Sequence, residues 1–190
     1  MMKEDEKKYI ADTQDKIKEC SNVSICVMIC NIIISIVYLL AGILGHSIAT
    51  LSEGVDSLID AGSSLLLLIG FKISARKPDY RHPNGHTRIE YIIGLLISEI
   101  ILFASFSLAR QSIIYFHKLE VNTVPLFLLI VSVIGVFGKI IIANYISVKN
   151  KKLCSTSLKV YYKNTLADLK AIIFVAISAI IQHFTTLPVD

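Results

Sequence analysis

Asp56 and Asp60 sit four residues apart inside an apolar stretch, Ser52-Glu53-Gly54-Val55-Asp56-Ser57-Leu58-Ile59-Asp60. That spacing puts both carboxylates on one face of a helix, and Glu53, three residues before Asp56, extends the acidic stripe. Residues 61–71 are almost wholly apolar, so with its upstream part the segment is long enough to cross a bilayer. An ionised carboxylate at that depth costs on the order of several kcal/mol. Two of them on one stripe also repel unless something cationic neutralises them. The chemistry this pair points to is the capture of a cation. A lysine from another apolar block, Lys139 or Lys170, is the alternative neutraliser.

A second pair lies in Asn164-Thr165-Leu166-Ala167-Asp168, where Asn164 and Asp168 again share a helix face. Brought together, the two helices offer a four-ligand cage of Asp56, Asp60, Asn164 and Asp168. Three carboxylates and an amide make a hard, all-oxygen shell, which favours Mn²⁺ or Fe²⁺ over a thiolate-seeking metal. Zinc also accepts carboxylates but more often recruits histidine. Asn164 alone also reads as a polar contact between helices. A third constellation lies in a polar loop: Asp79, His82 and His86, spaced D-x-x-H-x-x-x-H. Two imidazoles and a carboxylate suit a transition metal such as Zn²⁺. The same residues surround Pro83-Asn84-Gly85, which is turn chemistry, and the histidines serve equally as helix caps.

The elements that must hold these residues are helices in a membrane. The 190 residues are 54% hydrophobic, with a mean hydropathy of +0.64, more apolar than an ordinary soluble domain. Five apolar blocks emerge, at roughly 23–44, 48–73, 89–115, 125–147 and 158–181. The expected fold is therefore all-α, a polytopic transmembrane helical bundle with five spans. Residues 1–20 form a charged lead-in, and 21–190 form the membrane domain. Lysine and arginine crowd the segment before the first block, the loop near 74–88 and the loop near 148–157. This asymmetry predicts a multi-pass protein of the cell membrane with a cytoplasmic N-terminus. It also accounts for the net charge of +4 without a nucleic-acid partner; the expected surroundings are membrane lipid. Cys26 and Cys30, one turn apart, read as packing residues, and no disulfide is expected. No nucleophile–base set, phosphate loop or cofactor fingerprint is present, so the sequence does not read as an enzyme.

The run 52–60, the pair Asn164/Asp168, and the loop signature His82-Pro83-Asn84-Gly85-His86-Thr87-Arg88-Ile89-Glu90 together resemble the cation diffusion facilitator family. The resemblance covers about 23–190. It implies a secondary membrane transporter that exports a divalent cation in exchange for protons, with no resident cofactor. It places the transport site at Asp56, Asp60, Asn164 and Asp168, and a loop site at Asp79, His82 and His86. It further implies a homodimer, with Arg88 helping to lock the interface.

Three departures refine that expectation. Zinc-preferring relatives usually carry histidine where this chain has Asn164, and manganese-type relatives also combine three Asp with one Asn. The expected cargo is therefore Mn²⁺ or Fe²⁺, with Zn²⁺ as the alternative. The family's sixth span and cytoplasmic C-terminal domain are absent from the sequence, so a truncated product is expected. The alternative is a non-transporting paralogue that regulates a full-length partner. Lastly, Lys170 lies two residues past Asp168, roughly on the opposite face, and Glu99 is a candidate partner for it.

Overall fold

In lipid, backbone polar groups have no water to bond, so a long apolar run satisfies them within itself as a helix. The computed structural model contains five helices: α1 (Met2–Gly45), α2 (Ile48–Ser74), α3 (Ile89–Phe116), α4 (Leu126–Leu153) and α5 (Thr156–Phe184). The structure describes residues 2–75, 88–116 and 126–184. Among these, Gln14–Gly45, Ile48–Ser74 and Leu126–Leu153 are long and apolar enough to cross a membrane, and α3 carries a shorter apolar stretch, Tyr91–Ser107. Each of the five expected blocks is carried by one helix, with α1 extending back to Met2 and α4 on to Leu153. The charged lead-in is helical and continuous with α1.

Two turns set the direction of travel. After α1, Ser47 N–H donates to the Gly42 carbonyl (3.1 Å) and His46 N–H to the Ile43 carbonyl (3.4 Å), with His46 in the left-handed region at φ 50°. This is the paired-bond ending of a helix whose next residue reverses the chain. Ser47 then caps α2, its side chain accepting from Thr50 N–H at 3.3 Å. After α4, Cys154 takes the left-handed position (φ 52°), and Ser155 Oγ accepts from Leu158 N–H (3.3 Å) at the start of α5.

The bundle buries many polar residues and exposes many large apolar ones. Ser24, Asn31, Ser57, Ser64, Lys139 and Thr165 are buried, whereas Ile33, Leu40, Leu102, Phe106, Phe137 and Phe174 are exposed. A protein in water sorts its residues the other way; lipid around the bundle explains the inversion. α1 packs along α2 and α4, and α5 packs against α4, α3 and α2. One apolar cluster, including Val23, Leu67, Phe71, Ile97, Ile146 and Leu158, joins all five helices. It lies where α2 and α4 end and α3 and α5 begin, toward the lysine-rich loops.

The α1–α2 contact depends on two glycines. A Cβ on Gly42 would stand 2.8 Å from the Leu51 backbone nitrogen, and one on Gly54 would stand 2.9 Å from that of Leu39. Backbone cannot move aside as a side-chain tip can. The same approach lets Ser35 Oγ donate to the Gly54 carbonyl at 2.7 Å. Close approach through small residues is how membrane helices gain contact energy. Gly54→Ala is therefore expected to destabilise the fold by about 1–3 kcal/mol, read as a lower Tm in detergent. An unchanged Tm would show that α1 and α2 do not depend on this contact.

Candidate metal centre

The inward face of α2 repeats at helical spacing: Glu53, Ser57, Asp60, Ser64 and Leu67 are all buried. Val55, Leu58 and Leu65 point outward. Small and polar residues on the inward face leave room for the carboxylates. Asp60 is 3% exposed, and Asp56 is half-buried one turn away. α5 brings Asn164 and Asp168, both half-buried, up to the same place. One carboxylate oxygen from each of Asp56, Asp60 and Asp168 lies within 4.8 Å of the others. Asn164 Nδ2 donates to Asp60 Oδ1 at 3.0 Å and to Asp168 Oδ2 at 3.1 Å. The structure thus brings together all four residues of the expected cage.

Three carboxylates this close need positive charge, and α4 supplies it. Lys139 Nζ pairs with Asp60 Oδ2, and Lys139 is 0% exposed. Of the two lysines the sequence offered as neutralisers, the structure selects Lys139. Lys170 is exposed, as is Glu99 on α3, and no ion pair joins them among the described residues. The candidate Lys170–Glu99 pair is therefore not formed: the two side chains lie on outer faces. Glu53 is buried but lies outside the three-carboxylate group. Asp79, His82 and His86 lie outside the described residues.

The arrangement suits an oxygen-seeking cation. Ligand oxygens on a metal with bonds of about 2.1–2.2 Å sit about 3 Å apart, so the three carboxylates need only a small inward closure. Asn164 now shows its NH₂ edge to the carboxylates; half a turn of the amide would present its oxygen. Two further hydroxyls flank the carboxylates in sequence. Among the described residues, Ser57 Oγ and Ser63 Oγ are buried without a hydrogen-bond partner, and Ser63 continues the Asp56–Asp60 stripe at helical spacing.

A residue the sequence reading missed holds this centre in place. Tyr161 on α5 is 1% exposed. Its hydroxyl donates to the Asp60 carbonyl (3.1 Å) and accepts from Ser64 Oγ (2.9 Å) and from Asn31 Nδ2 on α1 (2.8 Å). One phenol therefore ties three helices together at the carboxylate. The available signal was positional: Tyr161, Thr165 and Asp168 share one face of α5. Tyr161→Phe leaves Asn31 Nδ2 without this acceptor, and should cost about 1–3 kcal/mol, measured as a lower Tm. A Tm equal to that of the parent would show that the three bonds are not structural.

Residues 24–190 match the family described as the cation efflux transmembrane domain. An uncharacterized transporter of Methanocaldococcus jannaschii is 27% identical over 157 residues, 81% of this chain and 54% of that protein. The manganese efflux system protein MneS of Bacillus subtilis is 33% identical over 88 residues, covering 46% of this chain and 30% of that protein. The magnetosome protein MamM of Paramagnetospirillum magneticum is 31% identical over 72 residues, 38% of this chain and 23% of that protein. The matched stretch thus spans about half, or less, of the length of these relatives.

Proposed function

The chain belongs to the cation efflux family, and from that premise we propose that it carries a divalent transition-metal cation across the cell membrane in exchange for protons. The observation that supports this most is the convergence of Asp56, Asp60 and Asp168 from α2 and α5 to within 4.8 Å, with Asn164 bonded to two of them. Mn²⁺ or Fe²⁺ is the favoured cargo and Zn²⁺ the alternative, because the donor set is all oxygen. The likeness to a protein named for manganese efflux points the same way. Asp79, His82 and His86 are assigned to a separate loop site, and the working unit is a homodimer.

Each part of the mechanism rests on the chain's own residues. The N-terminus and the lysine-rich loops face the cytoplasm. The apolar cluster of Val23, Leu67, Phe71 and Leu158 separates the carboxylates from that side. It must part for a cytoplasmic ion to enter, and closes again as the site opens outward. Metal binding requires ionised carboxylates, so protons arriving from outside displace the ion. Protonated carboxylates then return inward at lower electrostatic cost. Mn²⁺ flux into vesicles containing the purified protein tests the proposal. Flux should follow an imposed pH gradient and reverse with it. Flux indifferent to the gradient would contradict exchange with protons, and no flux would contradict transport by this chain.

A further inference from the structure

We infer that Lys139 is a resident counter-cation: its ammonium holds Asp60 until a divalent ion displaces it, and its charge weakens the site's hold on that ion. The inference rests on the reading of the carboxylate cage as a transport site and names the residue that tunes it. Lys139 is 0% exposed, so no solvent screens it, and its partner is Asp60 Oδ2. Asp60 Oδ1 is taken by Asn164. Each oxygen of the most buried ligand therefore already has a donor. An incoming cation competes with both donors, and the full charge of the ammonium opposes it more strongly than the NH₂ dipole of the amide.

Lys139 is built in deliberately. It projects from the inward face of α4, in line with the buried Ser132, Gly135, Ile142 and Ile146. A lysine buried without a partner is costly, and the carboxylates offer it one. Its four-carbon stem lets the ammonium shift without leaving the polar interior. With all three carboxylates ionised, as metal binding requires, Lys139 lowers the net charge of the three-carboxylate group from −3 to −2, while Glu53, buried one turn before Asp56, lies outside that group. Lys139 thereby weakens the hold of the site on a cation.

The test is Mn²⁺ titration of the full chain in detergent, comparing the parent with Lys139→Gln and Lys139→Arg, with Tm recorded for each. Glutamine removes the charge and keeps a polar side chain, so Mn²⁺ should bind more tightly by on the order of tenfold or more. Arginine keeps the charge and forms a two-point bond with a carboxylate, so Mn²⁺ should bind more weakly at an undiminished Tm. A merely structural role would weaken binding in both. Equal affinities, or weaker binding by the glutamine variant, overturn the inference. Should the glutamine variant fail to fold, the arginine variant decides: weaker binding at undiminished Tm supports the inference, and equal or tighter binding overturns it. If the parent itself binds no Mn²⁺, the cage reading falls and the inference with it.

Discussion

Asp60→Asn is expected to abolish Mn²⁺ transport, with metal affinity falling by about 100-fold or more; loss of a partner that merely orients a ligand costs about 10–100-fold. Asp60 is where the site's interactions meet: Lys139 and Asn164 bond its two oxygens, and Tyr161 donates to its carbonyl. Removing its charge also takes away the ion-pair partner of the buried Lys139, a loss of at most about 3–5 kcal/mol, reduced by the nearby Asp56 and Asp168. Tm should therefore fall together with transport. Asp56→Asn and Asp168→Asn separate the two effects. These residues are half-buried and neither is the ion-pair partner of Lys139, so each should lower metal affinity with a smaller loss of Tm. Vesicle flux and thermal unfolding of the three variants check this. An Asp60→Asn protein that folds and transports Mn²⁺ at the parent rate would remove Asp60 from the site.

Asn164→His is expected to move metal preference toward Zn²⁺. The amide now spans Asp60 and Asp168, so a side chain at this position reaches both carboxylates. An imidazole nitrogen there would give a mixed nitrogen and oxygen shell, which zinc accepts readily at about 2.0–2.1 Å. It would also replace the hard amide oxygen that suits Mn²⁺. The ratio of Zn²⁺ to Mn²⁺ affinity should rise by about tenfold or more, given the preference of imidazole for the later metal. Competition titrations on the parent and variant measure that ratio. If it does not move, Asn164 lies outside the shell and serves as a contact between helices.

The fold was legible because lipid imposes one rule on each span. Apolar blocks at about 48–73 and 89–115 became Ile48–Ser74 and Ile89–Phe116, since the end of hydropathy and the end of the helix nearly coincide there. They part company on α4. The apolar signal stops near 147, while the helix runs to Leu153, because Lys149, Lys151 and Lys152 are good helix formers that need no lipid. The lead-in continues into α1 for the same reason.

The site was legible where spacing alone carried the information. Asp56/Asp60 and Asn164/Asp168 each announce a helix face, and the structure brings the two faces together. Spacing could not choose between Lys139 and Lys170. That choice depends on which face of each helix turns inward, and only packing decides it: Lys139 falls in line with Gly135 and Ile142, while Lys170 falls outside. Tyr161 was missed because an aromatic residue in an apolar helix looks like ordinary core. Its role lies in its hydroxyl, whose partners Asn31 and Ser64 are distant in sequence.

The most direct test of the central claim is a crystal structure of the full chain soaked in Mn²⁺, located by its anomalous scattering. A peak is expected among Asp56, Asp60 and Asp168, with the Asn164 amide oxygen turned toward it and the Lys139 ammonium withdrawn from Asp60. A fully soaked crystal with its Mn²⁺ elsewhere, and Lys139 still paired with Asp60, would contradict it.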